Sequence, residues 1–333
     1  MIRVLVVDDS ALMRKVISDI LSSAPDIEVA GTAKDGVEAI EKVARLKPDV
    51  ITLDIEMPEM DGLEALEFIM KDCPTPTVMI SALTQEGAEA TFRALELGAV
   101  DFVAKPSGSI SLDMKDLADE VIRKVRAAHL SRRVKRRSGV RKPLQSAPSG
   151  FRIITIGSST GGTEALKEIV PQFPKNSPPI LITQHMPPGF TEAFAEHLDR
   201  ISAIKVKEAE EGDRIMKGLA LLAPGDYHMT VGGDRRVHLE HTEKINSVRP
   251  AADPMMMSAA VVYRRAVIGV VLTGMGRDGA RGIVEIKKRG GKAIAQSEDT
   301  CVVYGMPKEA VATGCVDEVV PLPDIPSKIM EWC

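Results

Sequence analysis

Residues 4–10 read Val4-Leu5-Val6-Val7-Asp8-Asp9-Ser10, and a matching run recurs as Val50-Ile51-Thr52-Leu53-Asp54. Each is a short, continuous stretch of mostly β-branched residues that stops abruptly at carboxylates. A strand without polar alternation is buried on both faces, as in a parallel sheet covered by helices. Outward from these two runs, strands are expected at Val4–Val7, Glu28–Gly31, Val50–Asp54, Thr77–Ser81 and Asp101–Ala104. Amphipathic helices are expected between and after them at Ala11–Ser22, Gly36–Leu46, Gly62–Met70, Glu86–Leu97 and Met114–Ala127. Such alternation implies right-handed crossovers and a doubly wound α/β domain.

The same rhythm resumes at Arg152, with strands expected at Ile153–Gly157, Ile180–Gln184, Val267–Thr273, Ala293–Gln296 and Val316–Val320. One segment breaks it: Leu219–His241, with turn signals at Pro224-Gly225-Asp226 and Gly232-Gly233-Asp234, reads as an antiparallel insertion. From His129 to Gly150 the hydrophobic periodicity disappears, and Arg132-Arg133-Val134-Lys135-Arg136-Arg137 is followed by Ser, Gly and Pro. The expected organisation is a first domain at 1–127, a linker at 128–150 and a second domain at 151–333, in keeping with 333 residues. The fold class is α/β, with two doubly wound parallel-sheet domains.

Charge follows that division. The net charge is −10 for residues 1–127, +7 for 128–150 and −1 for 151–333, which gives the overall −4. A basic run can tether nucleic acid, but no aromatic residue interleaves this one, and a solvated linker is the better reading. It is also placed to lie against the acidic first domain. Hydrophobic residues at 44% with charged residues at 27% exclude a disordered or membrane-embedded chain. Met1-Ile2-Arg3 runs straight into the first strand without a cationic leader or long apolar stretch, so no signal peptide is expected. Cys73, Cys301, Cys315 and Cys333 form no CxxC pair. A cytoplasmic monomer with reduced thiols, neither inserted in a membrane nor bound to nucleic acid, is expected.

In an open parallel sheet the carboxyl ends of the strands gather at one crevice. Asp8, Asp9 and Asp54 fall there in the first domain, and three crowded carboxylates call for a cation. Mg²⁺ suits Asp8, Asp9, Asp54 and a backbone carbonyl near Glu56. Ser81 and Lys105, at or just past two further strand ends, offer a hydroxyl and an ammonium to phosphoryl oxygens. Taken singly, an Asp at a strand end is more often a helix N-cap. In the second domain Gly157-Ser158-Ser159-Thr160-Gly161 fits G-x-S-x-G, with Ser159 in the nucleophile position of a strand-to-helix turn. A phosphate-binding loop fits the same glycines. His185 and Asp278 follow two other strands, so that Ser159, His185 and Asp278 supply a nucleophile, a base and an orienting carboxylate. Their chain order is not that of the α/β-hydrolases.

Val6-Val7-Asp8-Asp9-Ser10, Asp54-Ile-Glu-Met-Pro-Glu-Met-Asp-Gly62, Ser81-Ala82 and Lys105-Pro106 resemble the receiver domain of two-component response regulators, a flavodoxin-like fold. That resemblance implies phosphorylation of Asp54 by a histidine kinase, with Mg²⁺ held by Asp8, Asp9 and Asp54, and it puts Phe102 at the family's aromatic switch position. The longer set resembles the chemotaxis receptor methylesterase (CheB) family across essentially the whole chain. It comprises Ser159-Thr-Gly-Gly-Thr-Glu-Ala165, Thr183-Gln-His-Met-Pro-Pro-Gly-Phe190, Ala223-Pro-Gly-Asp-Tyr-His-Met229 and Leu272-Thr-Gly-Met-Gly-Arg-Asp-Gly279. This implies a Rossmann-like catalytic domain with no cofactor of its own. The implied roles are Ser159 as nucleophile, His185 as base, Asp278 as orienting acid and the Met275 N–H as oxyanion donor. The implied substrates are glutamyl methyl esters on methyl-accepting chemotaxis receptors, with recruitment to membrane receptor arrays, and some relatives deamidate glutamine instead. The family further implies that the unphosphorylated receiver covers the catalytic cleft. Ala251 departs from the pattern where relatives often carry Ser, and His228 lies in a motif that can line the site.

Two other function classes share fragments of these patterns. Gly157-x-x-x-Gly161 and Tyr304-Gly-Met-Pro-Lys308 imitate a nucleotide-dependent oxidoreductase, but Thr163 replaces the final glycine and no acidic residue ends the second strand. A DNA-binding response regulator would need a basic recognition helix, which the near-neutral second domain does not show.

Overall fold

The computed structural model describes residues 1–82, 84–105, 114–131 and 151–333. Pro106 and most of the expected linker lie outside the described residues. The chain divides into two compact units, Met1–Arg133 and Val134–Cys333.

The first unit runs β1 (Ile2–Val7), α1 (Ala11–Ser22), β2 (Ile27–Ala33), α2 (Gly36–Leu46), β3 (Val50–Asp54), α3 (Gly62–Asp72), β4 (Thr77–Ser81), α4 (Gln85–Leu97), β5 (Asp101–Ala104) and α5 (Met114–Ser131). The strands form one parallel sheet in the order β2-β1-β3-β4-β5. Four of the helices start at a side-chain cap: Ser10, Asp35, Asp61 and Thr84 each accept a first-turn N–H. Such caps contribute about 1 kcal/mol each and fix where each helix leaves its loop. Val4, Val6, Val50, Val78, Ile80 and Val103 bury one face of the sheet against Ile17, Leu21, Val121 and Val125 of the helices. Helix α5 continues to Ser131, beyond the Ala127 end expected for the first domain.

The second unit runs β6 (Ile153–Ser158), α6 (Gly162–Ile169), β7 (Ile180–Gln184), α7 (Phe190–Ile201), β8 (Lys205–Glu208), β9 (Leu219–Leu222), β10 (His228–Val231), β11 (Val237–Glu240), α8 (Ala252–Tyr263), β12 (Val267–Val271), α9 (Ala280–Lys288), β13 (Lys292–Gln296), α10 (Met306–Ala312), β14 (Glu318–Val320) and α11 (Ile325–Glu331). Seven strands form a parallel sheet in the order β14-β13-β12-β6-β7-β9-β8. Here the structure narrows the expected insertion. Leu219–Leu222 is not antiparallel; β9 pairs parallel with both β7 and β8 inside the main sheet. Among the described strands, β10 and β11 alone pair antiparallel, as a hairpin closed at Gly232-Gly233-Asp234. The run Leu219-Ala-Leu-Leu222 is nearly all buried, which suits a parallel strand and not a two-faced one. Strand β8, with the polar sequence Lys205-Val-Lys-Glu208, is an edge strand that the apolar pattern did not announce.

Helix α8 is packed unusually close to its neighbours. A Cβ on Gly157 of β6 would lie 2.6 Å from the Ala252 Cβ, and one on Gly282 of α9 would lie 2.5 Å from the Met256 Cβ. Glycine at both positions lets the first turn of α8 reach the carboxyl end of the sheet. Among the described residues no helix is long and apolar enough to cross a membrane.

Candidate functional sites

In each unit the polar strand ends gather where neighbouring strands lead into opposite directions of the sheet, the position at which open α/β sheets bind ligands. In the first unit this lies between β1 and β3. Asp8 and Asp54 are almost fully buried there, Asp9 is exposed, and ligand oxygens of the three carboxylates lie within 4.8 Å of one another. Lys105 places its Nζ 2.6 Å from Asp54 Oδ2 and 3.3 Å from Asp8 Oδ2. Burial works against the Lys105 ammonium, but the bond to Asp54 and the charges of Asp54 and Asp8 outweigh it and hold its pKa above the ordinary value. Burial pushes the Asp54 carboxyl up to about 6; the Lys105 hydrogen bond opposes this and the Asp8 charge adds to it. Asp8 Oδ2 is buried and accepts no hydrogen bond among the described residues. One ammonium shared among three carboxylates and an all-oxygen donor set fit a hard divalent cation such as Mg²⁺.

The other expected members lie at neighbouring strand ends and in the loops beside them. Ser81 is buried at the end of β4, its hydroxyl donating to the Gly87 carbonyl, and the Lys105 N–H donates to the Ser81 carbonyl at 2.6 Å. The Glu56 side chain is exposed, beside a cavity of about 610 Å³ that Asp9, Met57 and Asp61 also line. Gly62 is required where it stands: a Cβ would come within 1.9 Å of the Asp54 carbonyl oxygen, and the Gly62 N–H bonds to Ile55 O at 2.8 Å. Phe102 is buried on β5, with the Lys124 ammonium 4.8 Å from its ring centroid.

In the second unit the crossing point lies between β6 and β12, with β7 next to β6. Ser159 follows β6 directly and is 3% exposed. Its N–H donates to Thr273 O at 3.0 Å, and its carbonyl accepts from the Gly162 N–H at 2.7 Å. The left-handed residue of this turn is Gly161, with φ 75°, so glycine and not the serine absorbs the unusual backbone. His185 follows β7, the strand paired with β6, and its N–H donates to Ser158 O at 3.1 Å. Ser159 and His185 therefore occupy adjacent strand ends.

The His185 ring is bound on one side only. Its Nε2 lies 2.7 Å from Asp278 Oδ2, while its Nδ1 is buried and hydrogen-bonds to nothing among the described residues. Asp278 is 1% exposed and also accepts from the Ala252 N–H at 2.6 Å and the Asp253 N–H at 3.1 Å, the first two residues of α8. It thus supplies the cap that Ala251, the N-cap residue, lacks a side chain to make. Burial opposes its charge, but the hydrogen bond and charge of His185 and the two backbone donors outweigh burial and hold the carboxyl below its ordinary value. Burial, followed by the charge of Asp278, pushes the neighbouring Asp253 carboxyl up. Asn246 spans the two carboxylates, its Nδ2 lying 3.5 Å from Asp253 Oδ2 and 3.4 Å from Asp278 Oδ1.

Met275 sits in the turn after β12, which glycine brings against the serine. A Cβ on Gly274 would lie 2.7 Å from Ser159 Cβ and 2.4 Å from Met306 Sδ. The Gly274 N–H donates to Val303 O, and its carbonyl accepts from the Gly305 and Met306 N–H groups. The Met275 N–H takes no part in the bonds that lock this turn. His228 is buried at the start of β10, accepting from the Ala251 N–H through Nδ1 at 3.1 Å and reaching Glu243 O through Nε2 at 3.0 Å. It therefore supports the approach to α8 and carries its proton on Nε2. Sequence reasoning missed Asn246, Asp253 and the α8 N-terminus. For Asp253 and the α8 N-terminus a signal was present in Arg249-Pro250-Ala251-Ala252-Asp253-Pro254, whose prolines and acidic residue mark a helix start, whereas Asn246 lies outside any such pattern.

Two family models match the chain, one described as CheB methylesterase over residues 154–329 and one described as response regulator receiver domain over residues 4–115. The protein-glutamate methylesterase/protein-glutamine glutaminase of Pyrococcus abyssi is 56% identical, over 99% of this chain and 93% of its own length. The protein of the same description from Thermotoga maritima is 50% identical, over 99% and 98%. The crystal structure of the Thermotoga maritima CheB methylesterase catalytic domain aligns with a TM-score of 0.54 at 45% identity, covering 55% of this chain and all of that one.

Proposed function

From membership of the CheB methylesterase family, to which this chain belongs with a receiver domain at residues 4–115, we propose that it hydrolyses glutamyl methyl esters on methyl-accepting chemotaxis receptors. The observation that carries the reading is the buried His185–Asp278 pair, whose free Nδ1 lies at the strand end next to Ser159. With Asp278 accepting from Nε2–H, the ring is fixed in the tautomer that leaves a lone pair on Nδ1. Nδ1 takes the proton from Ser159 Oγ as the oxygen attacks the ester carbonyl. The Met275 N–H donates to the tetrahedral oxyanion. As the C–O bond breaks, the proton passes from His185 to the departing methoxide and methanol leaves. Water, deprotonated by the same nitrogen, then cleaves the acyl-enzyme to restore glutamate and Ser159. A glutamine side chain entering the same cycle releases ammonia, so the glutaminase activity in the relatives' names needs no further residues.

In the receiver, Asp54 is proposed as the acceptor of a phosphoryl group from a histidine kinase. Asp8, Asp9 and Asp54, with the Glu56 carbonyl, would hold Mg²⁺, which offsets the negative charge brought by the phosphoryl group. Lys105 and Ser81 are assigned to the phosphoryl oxygens. The phosphoryl group carries roughly −1.5 to −2 charges but replaces the −1 of the Asp54 carboxylate, so a domain already at −10 beside a +7 linker gains no more than about one negative charge. In this reading residues 1–127 are the receiver, 128–150 the linker and 151–333 the enzyme, acting in the cytoplasm at receptor arrays. The phosphorylated receiver relieves inhibition of the catalytic domain.

Methanol release from methylated receptor, with and without a small-molecule phosphodonor, tests both parts. Ser159→Ala should abolish turnover, and substantial release by that variant would refute the nucleophile. An isolated 151–333 fragment no faster than the unphosphorylated full chain would refute the inhibition.

A further inference from the structure

Gln184, the last residue of β7, is 3% exposed and has no part in the acid–base chemistry above. Its amide is nevertheless bound on both sides. Nε2 donates to the Ser159 carbonyl at 3.0 Å and to the His185 carbonyl at 3.2 Å, while Oε1 accepts from Ser158 Oγ at 2.7 Å. The backbone around it is shaped to admit this amide. A Cβ on Gly162 would lie 2.2 Å from Gln184 Oε1, so the first residue of α6 has to be glycine for the side chain to fit. The peptide of Ser159 is thus gripped from three directions: by Thr273 at its N–H, and by Gly162 and Gln184 at its carbonyl.

Of these grips, Gln184 alone also holds the residue that carries the base. Ser159 Oγ and His185 Nδ1 form no hydrogen bond in this structure, so their final approach depends on how the two strand ends are set relative to each other. We infer that Gln184 is a positioning residue that ties the nucleophile turn to the base-bearing strand end and sets the Ser159–His185 separation. The inference rests on the reading of those two residues as nucleophile and base. A misplacement of about 1 Å between reacting groups costs on the order of 100-fold in rate. A residue that only satisfied three buried polar groups would affect stability and not the chemical step.

Gln184→Met keeps the length and volume of the side chain but removes all three bonds. In the full-length chain, assayed by methanol release, it should lower kcat about tenfold to 100-fold with KM within twofold of wild type. Retention of kcat within twofold would overturn the inference. So would a parallel loss of kcat and affinity accompanied by a lowered unfolding temperature. If Gln184→Met does not fold, Gln184→Glu decides. An ionised carboxylate faces the Ser159 and His185 carbonyls with no proton to donate, whereas the protonated acid restores one bond. Its kcat relative to wild type should rise as pH falls from about 8 to 5.5; a flat ratio overturns the inference. Ser159→Ala in the same series separates the two ideas. Methanol release by that variant refutes the nucleophile itself, while its inactivity beside a wild-type-like Gln184→Met removes only the role of Gln184.

Discussion

Replacing Asp278 by Asn separates the two tasks that its carboxylate performs. One oxygen, Oδ2, accepts from His185 Nε2 and the Ala252 N–H; the other accepts from the Asp253 N–H. An Asn that keeps its carbonyl oxygen on the donors at Oδ1, the Asp253 N–H and Asn246 Nδ2, must turn its NH₂ toward His185 Nε2 and the Ala252 N–H. Nε2 then becomes an acceptor and the ring proton moves to Nδ1, the atom from which Ser159 needs a lone pair. The wrong tautomer in a serine protease costs about 10⁴ in kcat, equivalent to roughly 5.4 kcal/mol of barrier, and a loss of the same order is expected here. Stability should respond differently. Asp278→Asn retains the acceptor for the Asp253 N–H and loses the one for the Ala252 N–H, whereas Asp278→Ala leaves both buried N–H groups without a partner, at about 1–3 kcal/mol each. Both variants should therefore lose methanol release, and the Ala variant should unfold at the lower temperature of the two. The pH dependence has a definite sign. The folded pKa of Asp278 lies below its ordinary value, so its contribution to stability is present above about pH 3.9 and is lost as pH falls through the folded pKa. Asp278→Asn should flatten the acid limb of the unfolding curve. Methanol release by Asp278→Asn within tenfold of wild type would refute the tautomer argument.

Gly274→Ala should lower kcat by on the order of 100-fold, because the new Cβ displaces the turn carrying Met275 from Ser159; methanol release within threefold of wild type would contradict that proximity. Asp8→Asn should weaken Mg²⁺ binding by at least about tenfold in calorimetry of the full chain, and unchanged affinity would remove Asp8 from the ligand set. Thiol alkylation near pH 8 should modify exposed Cys73 first and spare Cys301, whose thiol burial pushes far above its ordinary range; early modification of Cys301, read by peptide mass, would show that its surroundings open readily.

The strand ends were legible because continuous apolar runs closing on Asp8, Asp54, Ser159 and His185 are a local pattern, and each run lies where the sheet has a buried parallel strand. Strand β8 escaped that reading since an edge strand exposes residues such as Lys205 and needs no apolar run. For Leu219–Leu222 the turn signals at 224–226 and 232–234 suggest a local antiparallel partner. The strand instead pairs with β7 and β8, and no local signal records that choice.

The sequence by itself determined that two parallel-sheet units exist and which residues stand at their carboxyl ends, because strand, helix and turn preferences act over a few neighbouring residues. Tertiary structure alone decided how those residues are used. It left Nδ1 as the open nitrogen of His185, hung Asp278 on the first turn of α8 and set the Gln184 amide on the Ser159 and His185 carbonyls. The Asp278 contacts join residues 25, 26 and 93 positions apart, and the bond from Gln184 to the Ser159 carbonyl spans 25. Hydrogen bonds over such distances follow from sheet order and helix docking, which are settled only when the whole core packs.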